Sequence, residues 1–254
     1  MKIEIESEKI KEKLGRALEA AYPRRCPICR EIIMPVGELI CKKCEKELPI
    51  IDEKRCLKCG APLFSEEAAI CRRCREKEKN GLVNYEHGMA VFSYTDKISA
   101  SIADFKYHNH RDNADFYAKK MLDRYGEYIK SLAPEVIIPV PIHFMRWWER
   151  GYNQAALIAR KLARGLEIPC DLNYLIRVKD TKKQKDLTLE ERMRNISDAF
   201  AVSKERASDK YKRVLLVDDI YTTGGTIETC SRALLNAGCE HVDFISVAIV
   251  PNDL

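Results

Sequence analysis

Residues 214–226 read VLLVDDIYTTGGT. Val214, Leu215, Leu216 and Val217 form an apolar, β-favouring run of a length that suits a buried parallel strand. Asp218 and Asp219 follow where such a strand emerges at its C-terminal edge. Thr222, Thr223, Gly224, Gly225 and Thr226 then make a small, hydroxyl-rich turn into a helical pattern that begins near Thr226. A strand, a Gly/Thr turn and a helix N-terminus together cradle an anion. Backbone N–H groups point at the ligand, glycine lets the backbone approach, and the helix dipole favours negative charge. The two carboxylates would repel a bare phosphate, yet they accept hydrogen bonds from vicinal hydroxyls. A phosphorylated ribose meets both demands. The plainer alternative, a buried strand ending in a polar turn, leaves the acids and the loop as coincidence.

The stretch resembles the signature of the type I phosphoribosyltransferases: apolar strand, two acids, then a Thr/Gly phosphate loop. That resemblance implies a parallel sheet flanked by helices. It implies that Asp218 and Asp219 hold the ribose hydroxyls, and that Thr222, Thr223, Gly224, Gly225 and Thr226 hold the 5′-phosphate of phosphoribosyl pyrophosphate.

The chain has 254 residues, 46% hydrophobic and 33% charged, enough for one large domain or two modest ones with a solvated surface. A formal net charge of +5 permits contact with nucleic acid without arguing for it. No apolar run approaches the roughly 18–20 residues of a membrane span, and the charged start, MKIEIESEKIKEKL, does not read as a signal peptide. Eleven cysteines in such a chain point to metal and free thiols rather than disulfides.

Eight of them fall in four CxxC pairs, Cys26/Cys29, Cys41/Cys44, Cys56/Cys59 and Cys71/Cys74, and a shift of 30 residues lays the first two pairs on the last two. A CxxC knuckle aims two thiolates at one tetrahedral ion, and two knuckles close a four-sulfur shell. The segment is too short and polar to build its own core, so metal supplies its folding energy. The reading is two structural zinc ions. The repeat favours local pairing, Cys26, Cys29, Cys41 and Cys44 on one ion and Cys56, Cys59, Cys71 and Cys74 on the other, with an interleaved arrangement as the alternative. A redox role would need a neighbouring βαβ pattern that is missing here. The remaining cysteines, Cys170, Cys230 and Cys239, read as small buried hydrophobes.

The domain boundaries expected are an N-terminal helix within 1–24, a double zinc ribbon over 25–80 and the phosphoribosyltransferase-like domain over 81–254. Residues 7–21 have helical spacing with Ser7 as N-cap and Pro23 beyond the end. Further along, the patterns predict a strand over 89–94, helices over 97–107 and 114–130, and a short strand from Val136 stopped by Pro139 and Pro141. A helix over 155–166 follows. His143, Arg146, Arg150 and Gln154 lie between that strand and that helix, a second potential anion site suited to pyrophosphate. Trp147 and Trp148 read as packing residues, and His108 and His110 as surface or anion contacts rather than metal ligands. Residues 177–200 are polar and net basic, as a mobile lid would be, although a plain surface excursion would look similar. A helix from Thr226 to Ala237 ends at Gly238, and His241–Val250 closes as a strand.

In that order the pieces resemble the ComF family of competence-associated, phosphoribosyltransferase-like proteins. The resemblance spans about Cys26 to Val250. It rests on the paired knuckles, Phe105-Lys106-Tyr107, Pro139-Val140-Pro141, Arg150-Gly151-Tyr152-Asn153-Gln154, Thr181 with Gln184, Leu187, Arg192 and Asn195, and VLLVDD with TTGGT. Gly224-Gly225 stands where Gly-Ala is frequent in the family. The resemblance implies a cytoplasmic bacterial protein that helps handle incoming single-stranded DNA. Two functions stay open. One is an active phosphoribosyltransferase, with Mg²⁺ accompanying phosphoribosyl pyrophosphate, Asp218 and Asp219 at the ribose, and Arg150 serving the leaving group. The other keeps the pocket as a ligand-sensing site in a module that contacts single-stranded DNA or competence proteins.

Overall fold

The computed structural model describes residues 23–52, 54–65, 67–178, 199–206 and 211–251. They fall into two compact units, one ending at Leu48 and the other beginning at Pro49. The proposed helix over 7–21 and most of the expected lid, with Thr181, Gln184, Leu187, Arg192 and Asn195, lie outside the described residues.

In the first unit, an antiparallel bridge between Arg25 and Ile32 closes a knuckle, and the Cys26 N–H donates to Glu31 O at 2.7 Å. The short helix α1 (Lys42–Lys46) begins directly after Cys41, whose Sγ accepts the Cys44 N–H at 3.5 Å. The second unit opens with the same device: Arg55 bridges Pro62, the Cys56 N–H donates to Ala61 O at 2.7 Å, and α2 (Arg72–Lys79) follows Cys71.

Thereafter come β1 (Gly88–Ser93), α3 (Asp96–Tyr107), α4 (Asn113–Leu132), β2 (Val136–Pro139), α5 (Phe144–Arg150) and α6 (Gln154–Leu166). The chain continues with β3 (Leu175–Arg177), β4 (Phe200–Val202), β5 (Arg213–Tyr221), α7 (Gly225–Asn236) and β6 (His241–Ile249). The main sheet has the order β1-β6-β5-β2, and every neighbouring pair is parallel. Its strands are apolar on both faces, as a sheet covered on both sides requires. Val214–Val217 and Val136–Pro139 are wholly buried. Amphipathic α4 and α6 pack on each other and on the strands. Elsewhere in this unit, one buried cluster joins Ile227, Cys230 and Leu234 of α7, Phe244 of β6 and Tyr221 of β5 to the second set of cysteines.

A glycine pair lets that knuckle sit on the strands. A β-carbon at Gly60 would lie 2.8 Å from Gly88 O, and one at Gly88 would lie 2.8 Å from Cys59 Cα and overlap the Phe244 ring. Only hydrogen fits on either side.

Three elements differ from the sequence expectation. β5 runs on through both acids to Tyr221, because β6 keeps pairing with it (Asp218 with Ser246, Tyr221 with Ile249). Antiparallel β3 and β4 flank the segment expected as a lid; three-residue strands are too short for periodicity to reveal. Finally, α5 buries none of its residues, so Trp147 and Trp148 are exposed at 47% and 72% rather than packed.

Candidate functional site

Both cysteine sets assemble locally. The Sγ atoms of Cys26, Cys29, Cys41 and Cys44 lie within 4.8 Å of one another, as do those of Cys56, Cys59, Cys71 and Cys74. An ion with sulfur ligands at about 2.3 Å in a regular tetrahedron requires sulfurs about 3.8 Å apart. Cys29 and Cys41 are 3.8 Å apart, and Cys59 and Cys71 3.7 Å. Backbone N–H groups already aim at the sulfurs: those of Cys59 and Cys71 donate to Cys56 Sγ at 3.5 and 3.3 Å. Hydrogen bonding from Cys59, Cys71 and Cys74 holds Cys56 below the usual thiol range, while Cys59 is pushed up, first by its contact with Cys56. Four thiols this close cannot all ionise unaided, and a divalent cation removes that conflict. The donor set fits two closed-shell zinc ions.

The second site forms where β2 stops. Pro139 pairs with Val217 and the Val140 N–H donates to Val217 O at 2.9 Å, after which no strand among the described residues pairs with β5 on that flank. Asp218 and Asp219 come next in β5. They line a cavity of about 210 Å³ with Lys106, Arg146, Arg150, Asn153, Gln154, Arg177, Thr222 and Thr226. Lys106 Nζ lies 2.7 Å from Asp219 Oδ2, and the Asp219 N–H donates to Asp218 Oδ1 at 2.8 Å. Burial, and then the charge of Asp219, raise Asp218 from the ordinary 3.8 to about 8. A cation or a donor hydroxyl at this position would restore its charge.

Thr222 and Thr223 lead to Gly224, which has φ +85° and caps α7 at its N-terminus. A β-carbon there would overlap Tyr221 Oη and lie 2.6 Å from Lys77 Nζ. Across the cavity, Asn153 caps α6 through the Ala155 N–H (3.0 Å) and donates to Val140 O (3.0 Å), which holds the α5–α6 junction against the end of β2. Arg150 donates to Gln154 Oε1 and to Tyr107 Oη, both at 3.1 Å, and stacks over the Tyr107 ring. Among the described residues, buried Arg150 Nε and Gln154 Nε2 find no hydrogen-bond partner, although both residues line the cavity. Buried donors left over beside a cluster of cations suit an anionic ligand with many oxygens.

All the candidate ribose and phosphate residues, and Arg150, therefore belong to one region, with Asp218, Asp219, Arg150, Thr222 and Thr226 on the cavity wall itself. Gln154 and Arg146 on the wall belong to the second potential anion site of the sequence reading, whereas Lys106 and Arg177 are wall residues that it did not single out as a site. Lys106 had a signal, the Phe105-Lys106-Tyr107 motif, and Arg177 stood only as the first residue of the expected lid. His108 pairs with Asp104 at 2.8 Å and takes no part in either cysteine cluster.

Comparison with known proteins agrees with both halves. A Double zinc ribbon domain model matches residues 17–75, and a Phosphoribosyl transferase domain model matches residues 152–253. Competence protein F of Haemophilus influenzae is 32% identical over 88% of this chain and 96% of that protein. The chain belongs to the ComF family. Competence protein ComFC of Bacillus subtilis is 29% identical over 81% of this ComF-family chain and 82% of its own length. DNA utilization protein YhgH of Escherichia coli O157:H7 is 26% identical over 87% and 94%. Among the described residues no helix is long and apolar enough to cross a membrane.

Proposed function

We propose that the cavity binds phosphoribosyl pyrophosphate together with Mg²⁺, and that the protein transfers the phosphoribosyl group to an acceptor with release of pyrophosphate. One observation carries this reading: two acids, the threonines around a glycine-capped helix N-terminus, and Arg150 and Gln154, whose buried donors find no partner among the described residues, line one cavity. In this reading Asp218 and Asp219 accept from the ribose hydroxyls. The backbone and hydroxyls of Thr222–Thr226 hold the 5′-phosphate at the start of α7. Arg150 and Gln154 meet the pyrophosphate, with Lys106 fixing Asp219. When bound, Mg²⁺ supplies neutralising charge to the departing pyrophosphate. The side chains contribute orientation and preorganised positive charge where negative charge grows in the transition state. The proposal includes a cytoplasmic location, where thiols stay reduced for zinc.

Calorimetric titration of the zinc-loaded protein with phosphoribosyl pyrophosphate, with and without Mg²⁺, tests it. Saturable, Mg²⁺-dependent binding that the Asp218→Asn/Asp219→Asn variant abolishes is expected. No binding at millimolar ligand overturns it. Because the bound sugar favours the ionised carboxylate, affinity should rise with pH until about 8, where Asp218 is ionised already.

A second reading, single-stranded DNA handling linked to DNA uptake, is favoured by α5. Its Phe144, Trp147 and Trp148 are exposed, and Arg146 and Arg150 of the same helix line the cavity. Aromatic faces beside cations stack bases and track phosphates. The chain has two tryptophans, both on α5, so their fluorescence reports oligothymidylate binding directly. Salt-dependent quenching supports this reading, and its absence removes it.

A further inference from the structure

We infer that α2 and the second cysteine cluster position the phosphate loop, so that zinc held there and a phosphoribosyl ligand held at Thr222–Thr226 strengthen each other's binding. This rests on the ligand reading above for its second half only. Three links carry it, and all three leave the same helix or its metal-binding cysteine.

The first link is Glu228. This residue sits in the first turn of α7 and is 8% exposed. A buried carboxylate one turn from a phosphate site opposes the ligand unless it is neutralised. Lys77 of α2 neutralises it at 3.1 Å, and the Asn84 N–H donates to its other oxygen at 2.9 Å. The Glu228 N–H in turn donates to Gly224 O at 2.9 Å, and Lys77 Nζ occupies the space beside Gly224. The ammonium therefore both cancels the charge and backs the loop.

The second link runs from Cys74. Its Sγ lies 4.0 Å from Tyr85 Oη, which shares a hydrogen bond of 2.9 Å with Tyr221 Oη. Tyr221 ends β5, stacks on Phe244 at 4.9 Å and presses against Gly224. The third link is Arg73, which donates to Val250 O at 2.9 Å and lies over the Tyr221 ring.

Helix α2 cannot hold these groups by itself. It is eight residues long, reads RRCREKEK, and buries Cys74 alone. A helix this short and charged is not stable in water. What fixes it is the cluster, through Cys71 at its N-cap and Cys74 within it. Loss of the ion would release Arg73, Lys77 and Tyr85 together. By linkage, whatever factor zinc adds to ligand affinity the ligand must add to zinc affinity.

The test uses the full-length zinc-loaded protein with Lys77→Met, Lys77→Arg and Tyr85→Phe. Three quantities are measured: hydrogen exchange of the 222–226 amides without ligand, affinity for phosphoribosyl pyrophosphate with Mg²⁺, and the rate at which a chelator withdraws zinc. For Lys77→Met with two zinc ions retained, exchange should quicken and affinity fall by about tenfold. Lys77→Arg should restore both, Tyr85→Phe should show a smaller change in the same direction, and ligand should slow withdrawal of one ion of the two. Unchanged exchange in both Lys77→Met and Tyr85→Phe overturns the coupling. If the wild type fails to bind the ligand, the exchange measurement still decides the coupling, and the ligand reading alone falls. Should Lys77→Met not fold, Tyr85→Phe keeps its ring and decides the same question.

Discussion

The two cysteine clusters share their spacing but not their surroundings. In the first, Cys29 is exposed and the residue after it, Arg30, takes φ +67°. In the second, all four cysteines are buried and the corresponding residue is Gly60 at φ +77°. Both knuckles need a left-handed residue at that turn, which an arginine adopts at modest cost. Only the second also needs empty space there, because Gly60 faces the backbone of Gly88 and Ala90. Metal geometry is thus written into the repeat, and docking into the residues that break it. The helices diverge likewise: α1 has five residues and α2 eight, and the longer one brings Lys77 to Glu228.

The largest expected contrast comes from removing a ligand. Cys59→Ser should lose one zinc ion and destabilise the sheet unit by more than about 3 kcal/mol, since it opens the buried cluster shared with Tyr221 and Phe244. Cys29→Ser should lose one ion while the second cluster keeps its own. Metal content and thermal unfolding, read together, check both. Exchanging the turn residues comes next. Gly60→Arg should cost more than about 2 kcal/mol by forcing a β-carbon against backbone, whereas Arg30→Gly should change stability by less than about 1 kcal/mol. Equal effects in denaturant unfolding would erase the distinction between the knuckles.

A third contrast depends on pH. Because Asp218 is raised to about 8, the folded protein keeps a proton that the unfolded chain releases near 3.8. The stability this contributes is complete below the unfolded value and is lost as pH rises through about 8. Asp218→Asn should therefore flatten the decline between those limits and make the ligand-free protein more stable at pH 8, while losing the ligand. An unchanged decline would show that the aspartate is already ionised in the folded protein over that range. The smallest effect belongs to Glu47, which occupies in the first repeat the position of Lys77 in the second. Glu47→Met should leave affinity for phosphoribosyl pyrophosphate within about twofold.

Much of this was legible in the sequence. The strand, acids and loop of residues 214–226 are contiguous, so a local pattern could expose them, and the CxxC pairs carry their ligand geometry in their spacing. The long helices α3, α4, α6 and α7 announced themselves by period. Less legible were α5, whose apolar residues face outward, and β3 and β4, which are too short to show a period. Lys106 and Arg177 reach the cavity from two separate elements, and no local pattern relates them.

The sequence by itself determined the two four-cysteine sets, the Thr/Gly loop after the acids and the order of the elements, because each depends on residues within one turn, one knuckle or one strand. Only the tertiary structure decided that β5 outlasts β2 beside Asp218 and Asp219, and that the second knuckle backs Gly224. Those facts depend on where strands end against their neighbours and on whether a β-carbon is present at a close approach. Both are properties of packing between segments far apart in the chain.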